Sequence, residues 1–553
     1  MGNILSYFYS DFQTEKTDEL KINDGLIQGL TYTYNDGYVG SAYMSVPYAK
    51  PPVGELRFKK PEASEPWEGI KDCTKLPPRC PHQDMLHEKL TGNISKSEDC
   101  LYLNVFLPGT VKRGRDLPVM VYIHGGAFVV HSSSHVGDSN VVKYLCSKEV
   151  IVVTLNYRIG IFGFITTSSP SCPGNNAFWD MHKALQWVQD NIHHFGGDKS
   201  NVTIFGQSAG GAAVDFLALS PHTQNLFKRY IGMAGTAYST HSRQTSDRLR
   251  VEWIHYAEKV LGFEYDAEDT KEEVDDKLLE FLRSQPSDKM EMSMMPDKRL
   301  TINKDGRVRV APVVDGDFFP KDFKDLRKNV PKKQILLGVT QWEGLLFMLL
   351  KPSYIQFARE LMLSTLLRYD LPDSADEYVQ KAVDSFIDLE QPENSLEHKQ
   401  QICKVISDVM YNTNMRYLAE ESIKNGHEVY MYTFEYCRSN VGGLLGYLFP
   451  FRGATHTIEL AYLFGRCITS THFTPSPQDL KVLDRFTNYF TNFAKYGNPN
   501  GASEEVWLPI TEDELERNMV IKEETDEMQD KFGEGRFKKW RRIWPNIWEM
   551  KMV

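Results

Sequence analysis

No stretch of this 553-residue sequence is apolar over the roughly 20 residues that a bilayer crossing needs, so no transmembrane helix is expected. The N-terminal MGNILSYFYS lacks a basic segment followed by an apolar core, which excludes a signal peptide of the usual pattern. The C-terminal KMV is not an endoplasmic-reticulum retention signal. A cationic surplus is missing too: 63 Lys and Arg face 74 Asp and Glu, a net charge of -11, which argues against nucleic acid as a partner. Cysteine is sparse, with eight residues at 73, 80, 100, 146, 172, 403, 437 and 467, too few for a scaffold held by disulfides. Repeats, coiled-coil heptads and low-complexity tracts are absent. What remains is the composition of a folded globular chain, 41% hydrophobic and 25% charged, long enough for one large core.

One short motif stands at the start. MGNILS matches the N-myristoylation pattern, with Gly2 exposed once Met1 is removed and Ser6 at the favoured position. Acylation of Gly2, a cytoplasmic location without secretion and peripheral membrane contact are therefore expected. A single acyl chain holds a membrane only marginally, and no polybasic run or Cys follows within 20 residues to reinforce it. Residues 1–20 read as an N-terminal segment and 21–553 as one domain.

Strand-like and helix-like runs alternate through the first 240 residues, the pattern of βαβ units around a parallel sheet. Val119 to Ile123 and Val150 to Leu155 are short continuous apolar runs, as buried central strands require. Ala184, Leu185, Val188 and Ile192 recur at helical spacing until Gly196-Gly197, after which Val202 to Phe205 reads as a further strand. From about 245 to 425 the pattern is mostly helical, interrupted by a strand from Gln334 to Val339. The expected architecture is α/β: a central, mostly parallel sheet flanked by helices, with helical insertions capping the site.

Gly206-Gln207-Ser208-Ala209-Gly210 follows a strand and opens an Ala-rich helix, the context a G-x-S-x-G nucleophile turn requires. The two glycines leave room for a sharp turn that pushes Ser208 into the open. Upstream, His124-Gly125-Gly126-Ala127-Phe128 ends a strand and suits a loop of backbone donors for a developing oxyanion. The donors expected are the N–H groups of Gly126, Ala127 and Ala209. A serine also needs an imidazole base and a carboxylate to orient it, but 15 histidines leave that choice open.

Five ordered motifs, PYAKPPVGELRF, SEDCLYLNV, HGGAF, NYRIGIFGF and FGQSAGG, resemble the type-B carboxylesterases, the family that includes cholinesterases and neuroligins. The resemblance extends over about residues 20 to 545 and implies the α/β-hydrolase fold. It implies Glu343, in Glu343-Gly344 at a strand end, as the acid, and His456, in Gly453 to Glu459, as the base. Glu459 then reads as a supporting residue, and Arg57 with Glu98 and Arg158 with Asp180 as framework ion pairs. Cys80 and Cys100 match the family's first disulfide, although a cytosolic chain would carry thiols there. Asn93 and Asn201 open glycosylation sequons that cytosol would leave unmodified.

The segment between Cys80 and Cys100 has no Phe, Tyr or Trp, and Leu346 stands where cholinesterases carry an aromatic residue, which argues against a quaternary ammonium substrate. Gln207, where many members have Glu, weakly favours an isoprenoid ester. The resulting expectation is a serine carboxylesterase for small-molecule esters that needs no metal or organic cofactor. Acyl transfer from the same acyl-enzyme to an alcohol or amine is the alternative, and a non-catalytic, neuroligin-like binding role the remote one.

Overall fold

The computed structural model describes residues 11–85, 88–89, 94–239, 244–293, 310–369, 371, 374–438, 441, 443–466, 473–502 and 506–545. Gly2, Asn93 and Cys467 lie outside them, as does most of the Met-rich stretch after Ser293.

The first half of the chain contributes β1 (Phe12–Lys16), β2 (Leu20–Lys21), β3 (Leu26–Gln28), β4 (Leu30–Tyr34), β5 (Val39–Pro47), β6 (Ile70–Asp72) and β7 (Tyr102–Pro108). It continues with β8 (Leu117–Ile123), β9 (Ile151–Leu155), β10 (Gly197–Gln207) and β11 (Arg229–Met233). The second half adds β12 (Gln334–Thr340), β13 (Glu428–Phe434), β14 (Asn518–Ile521) and β15 (Glu527–Gln529). Twelve of these form one sheet in the order β1-β4-β5-β7-β9-β8-β10-β11-β12-β13-β14-β15. Its centre, from β9 through β14, is parallel, and the antiparallel pairs lie toward the two edges. That is the expected α/β-hydrolase architecture.

The central strands are apolar on both faces because helices cover both. Every residue of β9 is buried, and buried clusters of hydrophobic side chains lie on the two sides of the sheet. Helix α1 (Asn176–Asn191) turns Phe178, Met181, Leu185 and Val188 inward, one stripe of a helical period. Helix α2 (Ala209–Leu219) is wholly buried. Its Ala-Gly-Gly-Ala-Ala start lets it approach the sheet closely: a Cβ on Gly211 would stand 2.6 Å from the Met233 carbonyl oxygen.

The capping region is helical as expected, with α3 (Ser246–Tyr256), α4 (Lys271–Ser284), α5 (Tyr354–Leu366), α6 (Ala375–Phe386), α7 (Leu396–Ser407) and α8 (Thr413–Lys424), followed by α9 (Pro477–Tyr496). Between α7 and α8, residues Asp408–Asn412 form a π-helical turn.

Two details differ from the sequence reading. Strand β1 pairs with β4, so the sheet already includes Phe12, inside the segment set apart as residues 1–20. Strand β10 begins at Gly197 rather than Val202, with a register shift between them. Cys80 and Cys100, whose pairing the sequence left open, are joined as a disulfide. Both framework pairs form. Arg158 holds Asp180 through two bonds of 2.8 and 2.7 Å, and Arg57 grips Glu98 while donating to the carbonyls that end α4.

Candidate active site

Strand β10 delivers Ser208 to the carboxyl edge of the sheet, and the chain reverses at once into α2. Ser208 takes φ 58° and ψ -123°, a conformation that costs a non-glycine residue on the order of 1–3 kcal/mol. It is held there by its own N–H donating to the Met233 carbonyl at 2.8 Å and by Ala212 N–H donating to the Ser208 carbonyl at 2.9 Å. The flanking glycines are required by fixed backbone. A Cβ on Gly206 would stand 2.4 Å from Gly210 O, and one on Gly210 would stand 2.1 Å from Ile123 O.

Ile123 ends β8, so the same junction carries the donor loop. A Cβ on Gly125 would lie 2.3 Å from Gln207 O and 3.2 Å from Ser208 Cβ, which fixes how tightly the loop is laid against Ser208. Gly126, Ala127 and Phe128 have successive positive φ values of 102°, 54° and 60°. The turn is closed by Val129 and Val130 N–H donating to Gly126 O at 2.9 and 3.0 Å. Among the described residues, the N–H groups of Gly126, Ala127 and Ala209 have no protein acceptor. Ala209 is the first residue of α2, where the N–H groups have no intrahelical partner. Three unspent donors thus lie around Ser208.

Glu343 and His456 come from two loops at the same sheet edge, after β12 and β13. The loops are tied by Trp342 N–H donating to Ala454 O at 2.8 Å and by a parallel bridge between Trp342 and Thr455. His456 Nδ1 donates to Glu343 Oε2 at 2.5 Å, and Thr340 N–H donates to Oε1 at 2.6 Å. Both side chains are buried. The glycine of each motif has a local cause. A Cβ on Gly344 would meet Cys403 O at 2.6 Å, and one on Gly453 would meet the Trp342 ring at 2.3 Å.

With Nδ1 committed to Glu343, the imidazole presents Nε2 as an acceptor. The Tyr411 hydroxyl, which is hydrogen-bonded to the Ser208 side chain, stands 3.4 Å from Nε2. Gln207 Nε2 lies 3.4 Å from each ring nitrogen of His456. Gln207 also bonds the Glu459 carboxyl, which burial first and the neighbouring Glu343 second push well above the usual carboxylate range. Glu343 is thus the carboxyl group oriented on His456, while the surroundings of Glu459 favour its neutral form.

All six residues expected from the sequence for acid, base, nucleophile and donors meet at this edge. Glu459 was expected as a supporting residue, but its bond to Gln207 was not, and Tyr411 was not recognised as part of the site. Tyr411 reaches His456 from the π-helical turn, which no sequence signal announced. The arrangement is suited to attack on an acyl carbonyl, because it combines a half-buried serine hydroxyl, an imidazole oriented by a carboxyl group and N–H donors without protein acceptors.

Comparison with known proteins agrees with this chemistry. The family model described as "Carboxylesterase family" matches residues 16–540. The chain is 38% identical to Esterase cest-33 of Caenorhabditis elegans, across 97% of this chain and 95% of that protein. It is 32% identical to an acetylcholinesterase of Bungarus fasciatus, across 88% of this chain and 79% of that one. It is 30% identical to a medium-chain fatty acyl-CoA hydrolase precursor of Anas platyrhynchos, across 91% and 88%. A fold, a site geometry and a full-length family match all lead to the same place: this chain belongs to the carboxylesterase family and is a carboxylic ester hydrolase.

Proposed function

We propose that this hydrolase works through an acyl-enzyme on Ser208. His456, neutral and oriented by Glu343, takes the Ser208 proton as the hydroxyl oxygen bonds to the ester carbonyl carbon. The N–H groups of Gly126, Ala127 and Ala209 receive the carbonyl oxygen as it becomes negative. The alcohol leaves with the proton held on His456 Nε2. Water then repeats the sequence, with His456 again the base, and releases the acid and free Ser208.

The observation that carries this reading is the 2.5 Å bond from His456 Nδ1 to Glu343 within the network that reaches Ser208. A buried imidazole aimed in this way serves proton transfer at the serine. The substrate class it supports is a small-molecule carboxylic ester. The absence of Phe, Tyr and Trp between Cys80 and Cys100 supports esters without a quaternary ammonium.

The test is turnover of a chain-length series of chromogenic esters by wild type and Ser208→Ala, with organophosphate labelling and a competing alcohol present. Loss of turnover and of label in Ser208→Ala is expected, and turnover unchanged by that substitution overturns the reading. New ester formed in preference to acid would assign acyl transfer instead. The MGNILS pattern supports acylation of Gly2 and, with it, a cytoplasmic, membrane-associated enzyme. The mass of the N-terminal peptide decides that.

A further inference from the structure

The reaction above leaves Tyr411 without a task, although its hydroxyl lies 3.4 Å from His456 Nε2. Tyr411 is buried, and its ring is stacked on the His456 imidazole with centroids 4.6 Å apart and planes 19° from parallel. The hydroxyl is 3.4 Å from His456 Nε2 and hydrogen-bonded to the Ser208 side chain. The Phe347 ring packs beside both, 5.4 Å from His456 and 6.0 Å from Tyr411.

The hydroxyl is also held in place from behind. Tyr411 belongs to the π-helical turn Asp408–Asn412, and single π turns within α-helices occur frequently at functional sites. Asp408 anchors that turn: Arg536 donates to it at 2.7 and 2.9 Å, Trp540 Nε1 at 2.8 Å and Asn412 at 2.9 Å. Ser407, one residue earlier, accepts from Gly344 N–H at 2.8 Å, which ties the turn to the loop that carries Glu343. A phenol fixed this firmly has its position set before substrate arrives.

The leaving oxygen of the ester must come within about 2.6–3.2 Å of His456 Nε2 to collect its proton. An oxygen there is also a neighbour of Tyr411 Oη. Burial, and then Glu343, raise the phenol far above its ordinary value, so it stays protonated and can only donate to an anionic oxygen.

We propose that Tyr411 is a catalytic hydrogen-bond donor to the alcohol oxygen of the ester, stabilising the alkoxide as it departs and so extending the enzyme to esters of poorly leaving alcohols. The inference rests on the acyl-enzyme reading. In the acylation step the bond from the tetrahedral carbon to the alcohol oxygen breaks and its electron pair goes to that oxygen. His456 Nε2 supplies the proton, while Tyr411 donates a hydrogen bond and keeps its own. In deacylation the incoming water occupies the same place and delivers its proton to Nε2.

The experiment compares wild type and Tyr411→Phe on two esters of one acyl chain, a nitrophenyl ester and an alkyl ester. A nitrophenolate leaves without help, whereas an alkoxide needs it. The expected result is a kcat/KM loss about tenfold greater on the alkyl ester, the size of one charge-assisted hydrogen bond made in the transition state. Asp408→Asn serves as the structural control: it loosens the turn and lowers both activities by one factor. Equal losses on the two esters in Tyr411→Phe, or none on either, overturn the proposal. Ser208→Ala run alongside separates the two readings. If it keeps turnover, the acyl-enzyme itself is wrong; if it loses turnover while Tyr411→Phe treats both esters alike, only the role of Tyr411 is.

Discussion

Replacing Glu343 by Gln tests the base most sharply, because the structure dictates how the new amide must sit. Thr340 N–H points at one carboxylate oxygen from 2.6 Å, and His456 Nδ1 approaches the other at 2.5 Å. A glutamine places its carbonyl oxygen against Thr340, since an NH2 there would set two donors against each other. Its NH2 then faces His456 Nδ1. Nδ1 must accept, the ring carries its proton on Nε2, and the acceptor for the Ser208 proton is gone. Loss of the correct tautomer in such a triad costs about 10⁴ in kcat, or roughly 5.5 kcal/mol. The volume and the Thr340 bond are unchanged, so the folded state is retained. The assay is steady-state hydrolysis of a nitrophenyl ester beside a melting curve. Activity within tenfold of wild type at unchanged Tm would refute Glu343 as the orienting acid.

Two further outcomes concern the framework. Asp215 in α2 takes two bonds from Arg327, at 2.9 and 2.8 Å, and one from Ala237 N–H at 2.9 Å, all buried. Asp215→Ala leaves the Arg327 charge unpaired and is expected to cost about 3–5 kcal/mol in urea denaturation, most of it recovered when Arg327 is also replaced by Met. His124, stacked on Tyr157 at 4.3 Å, is fully buried, and burial holds its imidazole down to about 3. The unfolded chain takes up that proton near the ordinary 6.5, so between about 6.5 and 3 it binds more protons than the folded one. Stability present above that window should fall as pH falls through it, by at most about 1.4 kcal/mol per pH unit from this residue. Urea midpoints between pH 7 and 4 should fall less steeply in His124→Phe, and identical slopes would refute the assignment.

Much of the site could be read before any coordinates, because its constraints are local. Ser208 between two glycines, with a strand before and a helix after, describes a turn whose geometry follows from steric exclusion. The same holds for the donor loop at Gly125 and Gly126, and the apolar runs of β8 and β9 announce burial on both faces. Glu343 and His456 were different. Nothing within the chain singled them out among 15 histidines and many carboxylates, and only the resemblance to a family did so.

What the sequence by itself determined is therefore the alternation of strands and helices, the nucleophile turn and the loop that faces it, since each depends on residues a few positions apart. The tertiary structure decided everything that depends on separation in space rather than along the chain. It joins Glu343 to His456 across 113 residues and lays Gln207 against His456 across 249. It adds Phe12 to the sheet edge by pairing β1 with β4. It also brings Tyr411 to the serine through a π turn held by Arg536 and Trp540, residues more than 120 positions away. A turn of that kind has no signature in a helical pattern, because its register is set by what Asp408 binds and not by the residues within it.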